Sequence, residues 1–144
     1  PWRGEAAFRQ VRLQPGKPQG WGRHRVGDRV VPVVALPGNP LSTMVSYELF
    51  VRPALCRLLG RASPAWTAAV ADAAWRSPAG RRQIVPVAAR VDEGGVLRVR
   101  PAHERGSASH MVSSLAHADG LAAVAEDVTQ VAPGDLLEFR RFVP

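Results

Sequence analysis

Two short stretches concentrate the residues able to do chemistry: Pro15-Gly16-Lys17-Pro18, and Leu36-Pro37-Gly38-Asn39-Pro40-Leu41-Ser42. Each places glycine close to prolines, so the backbone donors that remain are few and fixed in direction. Pro37 and Pro40 carry no N–H, which leaves Gly38, Asn39, Leu41, Ser42 and Thr43 as the donors of the second stretch. With a helix starting at Pro40, those donors and the helix dipole form a seat for an anion, and Ser42 adds a hydroxyl. In the first stretch Gly16 permits close backbone approach and Lys17 supplies an ammonium. The chemistry on offer is recognition of a phosphate or another oxyanion. Each stretch also has a plainer reading: a rigid strand-to-helix turn in one case, a surface turn with a solvated lysine in the other. Spacing alone leaves both readings open.

The elements that must position these residues follow from the pattern on either side. Val30 to Leu36 is a nearly continuous apolar run of strand length, which predicts a strand covered on both faces, as in a parallel sheet. The residue before a proline is pushed out of the helical region, so Asn39 is an N-cap and Pro40 the first helical residue. A helix from Pro40 to about Leu59 carries a wide apolar face. In it Glu48 and Arg52 form an i, i+4 pair on the wetter side, Pro53 predicts a kink, and Gly60 is the stop. Upstream, Ala6 to Gln14 alternates as a strand. Pro15 to Gly22 is too rich in glycine and proline for a regular element, and Arg23 to Arg29 reads as an exposed hairpin or connector.

The stretch Gly60-Arg61-Ala62-Ser63-Pro64 marks a boundary, because helical periodicity ends there. Beyond it, strands are predicted at 67–75, 82–91, 96–100, 121–124 and 136–142. Asp92-Glu93-Gly94-Gly95 and Pro133-Gly134-Asp135 are turns between them. Short strands joined by such turns imply a small barrel or sandwich. One or two helical turns are expected after Ser109, ended by Gly120.

Composition narrows the function classes. The 144 residues are 46% hydrophobic and 22% charged, which is globular. The formal charge is +7, and every basic residue except Lys17 and the histidines is arginine. Such a balance suits small anions or nucleic acid. The arginines are scattered and not interleaved with aromatics as a base-stacking surface needs, which argues against nucleic acid. Cys56 is the only cysteine, so neither an internal disulfide nor a thiolate zinc site can form. His24, His103, His110 and His117 do not have ligand spacing. No signal peptide is visible and no apolar run approaches the roughly 20 residues that cross a bilayer, so a cytoplasmic chain with no membrane partner is expected. It starts at Pro1 without an initiator methionine, as a piece of something longer would.

Leu13-Gln14-Pro15-Gly16-Lys17-Pro18, then Leu36 to Ser42, then Glu48-Leu49-Phe50-Val51-Arg52-Pro53-Ala54-Leu55, resembles the molybdopterin molybdenumtransferases of the bacterial MoeA and animal gephyrin E-domain type. The second half agrees, with Gly80-Arg81-Arg82, then Ser109 and Ser113-Ser114-Leu115, then Ala118-Asp119-Gly120-Leu121 and Pro133-Gly134-Asp135 in order. The resemblance implies an α/β plus all-β chain. Residues 1–62 would be the C-terminal part of a MogA-like α/β/α molybdopterin-binding domain, and 66–144 the small C-terminal β-barrel domain. It also implies the family's reaction, in which molybdate is inserted into adenylated molybdopterin with release of AMP, in the presence of Mg²⁺, by a homodimer. Gly16, Lys17, Gly38, Asn39 and Ser42 would then cradle phosphate or molybdate. Arg81 and Ser109 match the arginine and serine that the family's barrel turns toward molybdate, and arginine keeps its charge at any working pH.

Two positions depart from the pattern. Gln14 stands where many relatives have Lys or Arg, and Pro86 where a basic residue is common. The acidic residues associated with Mg²⁺ in the family lie in a motif this chain does not contain, so the isolated chain is expected to hold half a site. The competing reading is a non-catalytic scaffold that keeps the fold.

Overall fold

The computed structural model describes residues 4–103 and 113–142. The expected site residue Ser109 lies outside the described residues. The chain opens with β1 (Gly4–Gln10), β2 (Leu13–Gln14), β3 (Pro18–Val26) and β4 (Arg29–Ala35). Strands β1, β3 and β4 form an antiparallel sheet in the order β1-β3-β4. This corrects two expectations. The apolar run at Val30 is an antiparallel strand that leaves Val30, Val31 and Val34 exposed, not a parallel strand covered on both faces. And the glycine-rich segment is regular from Pro18 onward. Its glycines make the strand possible, since a Cβ on Gly22 would meet the Glu5 carbonyl oxygen at 2.3 Å and one on Gly20 would meet the Phe8 ring at 2.7 Å. Of the two expectations for Arg23 to Arg29, an exposed hairpin or a connector, the hairpin is found: the end of β3 and a tight turn through Gly27, whose φ is 60°, lead back into β4.

A helix follows in three registers: α1 (Pro40–Ser46), a π turn (Tyr47–Val51) and α2 (Arg52–Leu58). The irregularity is the wide turn before Pro53. There the Arg52 N–H reaches back to the Tyr47 carbonyl, so the missing donor of Pro53 falls where the helix has already loosened. Gly60, with φ 66°, ends it as expected.

The rest is β5 (Thr67–Ala71), β6 (Trp75–Arg76), β7 (Arg82–Val91), β8 (Leu97–Pro101), α3 (Ser113–Ala116), β9 (Gly120–Val124), β10 (Gln130–Val131) and β11 (Leu136–Arg141). The order β7-β8-β5-β11-β9, with β9 returning to β7, closes a barrel. Its interior is filled by Ala69, Trp75, Val85, Val87, Val99, Val124, Leu137 and Phe139 among others. The strand β2 joins the same sheet, parallel to β7, with Leu13 opposite Arg82 and Gln14 opposite Gln83. On the outside of β7 and β9 a second cluster forms from Leu13, Leu41, Val45, Ile84, Leu121 and Ala123. Successive residues of β7 and β9 therefore alternate between two apolar environments, which is why both strands read as unbroken apolar runs. Gly120 belongs to this tight region, because a Cβ there would lie 2.3 Å from the Arg140 carbonyl oxygen.

Candidate functional site

The segment from Val11 to Lys17 is a closed loop, with the Val11 N–H donating to the Lys17 carbonyl at 2.9 Å. Leu13 is its buried foot. Gln14 lies on the other side, and the Gln14–Pro15 peptide is cis. Gly16 has φ 99°, open to glycine at little cost, and a Cβ there would lie 3.1 Å from Ser46 Oγ. The Gln19 amide fastens the loop by donating to the Gly16 carbonyl and to Ser46 Oγ, both at 2.7 Å. Lys17 is exposed.

The second stretch folds as a cap. Asn39, with φ −75° and ψ 126°, turns its Oδ1 to accept from the N–H groups of Leu41 at 3.2 Å and Ser42 at 3.4 Å. The Thr43 N–H donates to the Asn39 carbonyl at 2.8 Å, and the Thr43 hydroxyl donates to the Pro37 carbonyl. Three of the five donors expected to face an anion are thus engaged within the turn. The N–H groups of Gly38 and Asn39 remain, and around Gly38 a Cβ would meet nothing within 4 Å. Ser42 is buried.

Gly16 and Asn39 sit at opposite ends of α1, with about 10 Å of helix between them at 1.5 Å per residue. The two stretches meet elsewhere. The residues following Lys17 and those preceding Gly38 flank one cleft of ≈ 390 Å³, lined by Pro18 and Gln19 from the first and Leu36 and Pro37 from the second, with Phe8 and Arg9 beside them. Arg9 and Gln19 carried no motif signal. Only the pairing of β3 with its neighbours, Gly20 opposite Ala35 and Phe8, brings them there.

Arg81 is exposed just before β7, and its Nη1 donates to Gln14 Oε1 at 3.2 Å. The structure thus joins the barrel's arginine to the first loop through the residue that departs from the expected basic type. The parallel pairing of β2 with β7 sets this proximity. Asp119 has a different role from a ligand contact: its Oδ2 accepts from the Ala89 N–H at 2.8 Å and fixes the start of β9 against β7.

The contact between helix and barrel is ionic as well as apolar. Glu48 and Arg52 lie there and not on a wet face: Glu48 is only 3% exposed, and both its carboxylate oxygens accept from Arg52 Nη1, at 3.1 and 3.0 Å. The side chain that covers them is Arg140 from β11, 7% exposed, stacked at 4.4 Å on the ring of Trp66. Its Nη1 donates to the Glu48 backbone carbonyl at 2.8 Å. Burial pulls the Arg140 guanidinium below its ordinary pKa, with Arg52 and Arg82 pushing the same way and Glu48 and Glu138 opposing.

Among the described residues no group of three or more His, Cys, Asp or Glu is gathered as a metal would need. These residues do not fit a Mg²⁺ site. Nor, among them, is any helix long and apolar enough to cross a membrane.

Comparison with known proteins gives two family matches. Residues 68–142 match the family described as "MoeA C-terminal region (domain IV)" and residues 3–57 match "Probable molybdopterin binding domain". Over 133 residues, 91% of this chain, the sequence is 40% identical to molybdopterin molybdenumtransferase 2 of Mycobacterium tuberculosis, and covers 31% of that protein. With molybdopterin molybdenumtransferase 1 of the same organism the identity is 30% over 149 residues, covering 94% of this chain and 32% of the relative. The chain therefore spans about a third of these relatives' length. Among solved structures, a molybdopterin biosynthesis MoeA protein from Pyrococcus horikosii superposes with a TM-score of 0.71 at 30% identity, over 98% of this chain and 33% of that one. A molybdenum cofactor biosynthesis protein from Pyrococcus furiosus gives a TM-score of 0.70 at 27% identity, over 96% of this chain and 46% of that one.

Proposed function

This chain belongs to the MoeA family, and from that premise we propose that it is the C-terminal part of a molybdenum insertase, the enzyme that inserts molybdate into adenylated molybdopterin and releases AMP. In this reading residues 1–62 complete the molybdopterin-binding domain and residues 66–144 are the barrel domain. The observation that carries it is the cleft where both proline-glycine stretches meet beside Arg9, with Lys17 on the adjoining loop and Arg81, from the turn before β7, bonded to Gln14 of that loop. A ligand made of two ring systems joined by phosphates is longer than the gap between Gly16 and Asn39. It can therefore use Gly16 and Lys17 at one end of α1 and Gly38, Asn39 and Ser42 at the other.

Both partners in the reaction are anions, so permanent positive charge and fixed backbone donors do the binding, with no general base among these residues. Arg81, together with Ser109, is assigned to molybdate, and Gln14 holds the Arg81 guanidinium by its edge. Mg²⁺ is assigned to acidic residues of the whole enzyme beyond this chain, and the reading includes a cytoplasmic homodimer.

In the full-length protein that carries this chain, Arg81→Ala is expected to abolish molybdate-dependent AMP release while adenylated molybdopterin still binds. Undiminished release would remove Arg81 from the site. The scaffold reading draws on Gln14 occupying Arg81, and it requires that the full-length protein bind no adenylated molybdopterin at equilibrium.

A further inference from the structure

The register of the helix leaves the Glu48 carbonyl without a donor of its own. In an α-helix the Glu48 carbonyl would accept from the Arg52 N–H, but that N–H is taken by the Tyr47 carbonyl in the π turn. The next donor along, at position 53, does not exist because residue 53 is proline. A carbonyl at a residue 3% exposed has no recourse to water. The group that answers it comes from 92 residues away, the Arg140 Nη1–H at 2.8 Å.

Arg140 is itself held from the other side. Its guanidinium lies on the Trp66 ring at 4.4 Å, and Trp66 also meets Arg82 at 5.9 Å. The same face of β11 carries Glu138, two residues before Arg140, which pairs with Arg82. The arginine is thus clamped between a helix carbonyl and an aromatic ring that borders the apolar cluster shared by α1, β2, β7 and β9.

We propose that Arg140 is a positioning residue. By filling the carbonyl that the π turn and Pro53 leave without a donor, it fixes the helix on the barrel, and with it the Pro37–Ser42 turn relative to Arg81. The proposal rests on the reading above, in which that turn and Arg81 serve one anionic ligand, but its geometry can be tested without any ligand. A single directional bond to a helix carbonyl sets the helix along and around its axis, which the shared apolar cluster alone, having no directionality, sets less sharply.

The test uses this chain with Arg140→Met, Pro53→Ala and the two combined. Arg140→Met leaves the carbonyl unanswered and is expected to lower the melting temperature by about 5 °C. Pro53→Ala restores a backbone N–H, so the helix can close onto Glu48 by itself, and the double variant is expected to regain that loss. Position is read separately, by the distance between nitroxide labels at Gly38→Cys and Glu93→Cys in a Cys56→Ser background. The distribution should broaden in Arg140→Met and stay broad in the double variant, because stability has returned but the link to the barrel has not. With molybdate as the probe on the unlabelled full-length protein that carries this chain, both Arg140→Met proteins should bind about tenfold more weakly, the worth of one well-aimed charged contact.

If the double variant gains nothing in stability, Arg140 does not serve that carbonyl. If its label distances return to those of the Pro53→Ala protein, Arg140 acts on stability alone. Either result overturns the proposal. Should Arg140→Met fail to fold, the double variant against Pro53→Ala carries the same comparison. A full-length parent that binds no molybdate counts against the reading of the site, and the label distances still decide Arg140.

Discussion

Asp92 shows how a single side chain shapes a turn. Its Oδ1 accepts from the N–H groups of Gly94 at 3.0 Å and Val96 at 2.9 Å, and its Oδ2 from Arg98. The bond from Arg98 and then that from Val96 hold its carboxyl below the ordinary 3.8. A depressed folded pKa means that the Asp92 contribution to stability is complete above the unfolded value. It is lost as the pH falls through the folded one. Arg98→Ala is therefore expected to move the Asp92 titration up toward 3.8, followed by carboxyl carbon shifts in NMR. A titration that stays put would show the backbone donors to be sufficient. Charge pairs of this kind are local, six residues apart here, and the Asp-Glu-Gly-Gly sequence announced the turn that contains them. The pairing of Gln14 with Arg81 spans 67 residues, and nothing in the sequence near either announces it.

At the scale of elements, α1 depends on its cap. Asn39→Ala removes the acceptor for two N–H groups and is expected to cost about 1 kcal/mol in urea unfolding, with Asn39→Asp close to neutral. The cap was legible because a residue between glycine and proline has few conformations. The barrel strands were legible for a similar reason, since Gly95 and Gly134, both at positive φ, punctuate them. Two other elements were not. An unbroken apolar run says only that both faces of a strand are to be buried. Val30 to Leu36 and Ile84 to Val87 share that signature, yet only the second has cover on both sides here. The buried position of Glu48 was hidden too, because an i, i+4 ion pair looks the same whether the partner across it is water or Arg140.

For the molecule as a whole, the cluster of Leu13, Leu41, Val45, Ile84, Leu121 and Ala123 packs the helix and β2 against the barrel wall, and one cooperative unfolding unit is expected from it. Leu41→Ala is expected to cost about 2–5 kcal/mol and to lower helix and barrel together. Far-ultraviolet circular dichroism and the fluorescence of the buried Trp75 should report coincident transitions. Separate transitions would mean that the cluster is only contact between independent units. The strand Leu13–Gln14 has a consequence for descent as well. A lineage that exchanged the barrel for another by recombination near residue 64 would leave β2 without its parallel neighbour β7 and Gln14 without Arg81. The heritable module is thus discontinuous, a late block of sequence plus two residues from far upstream, and the two must change in step.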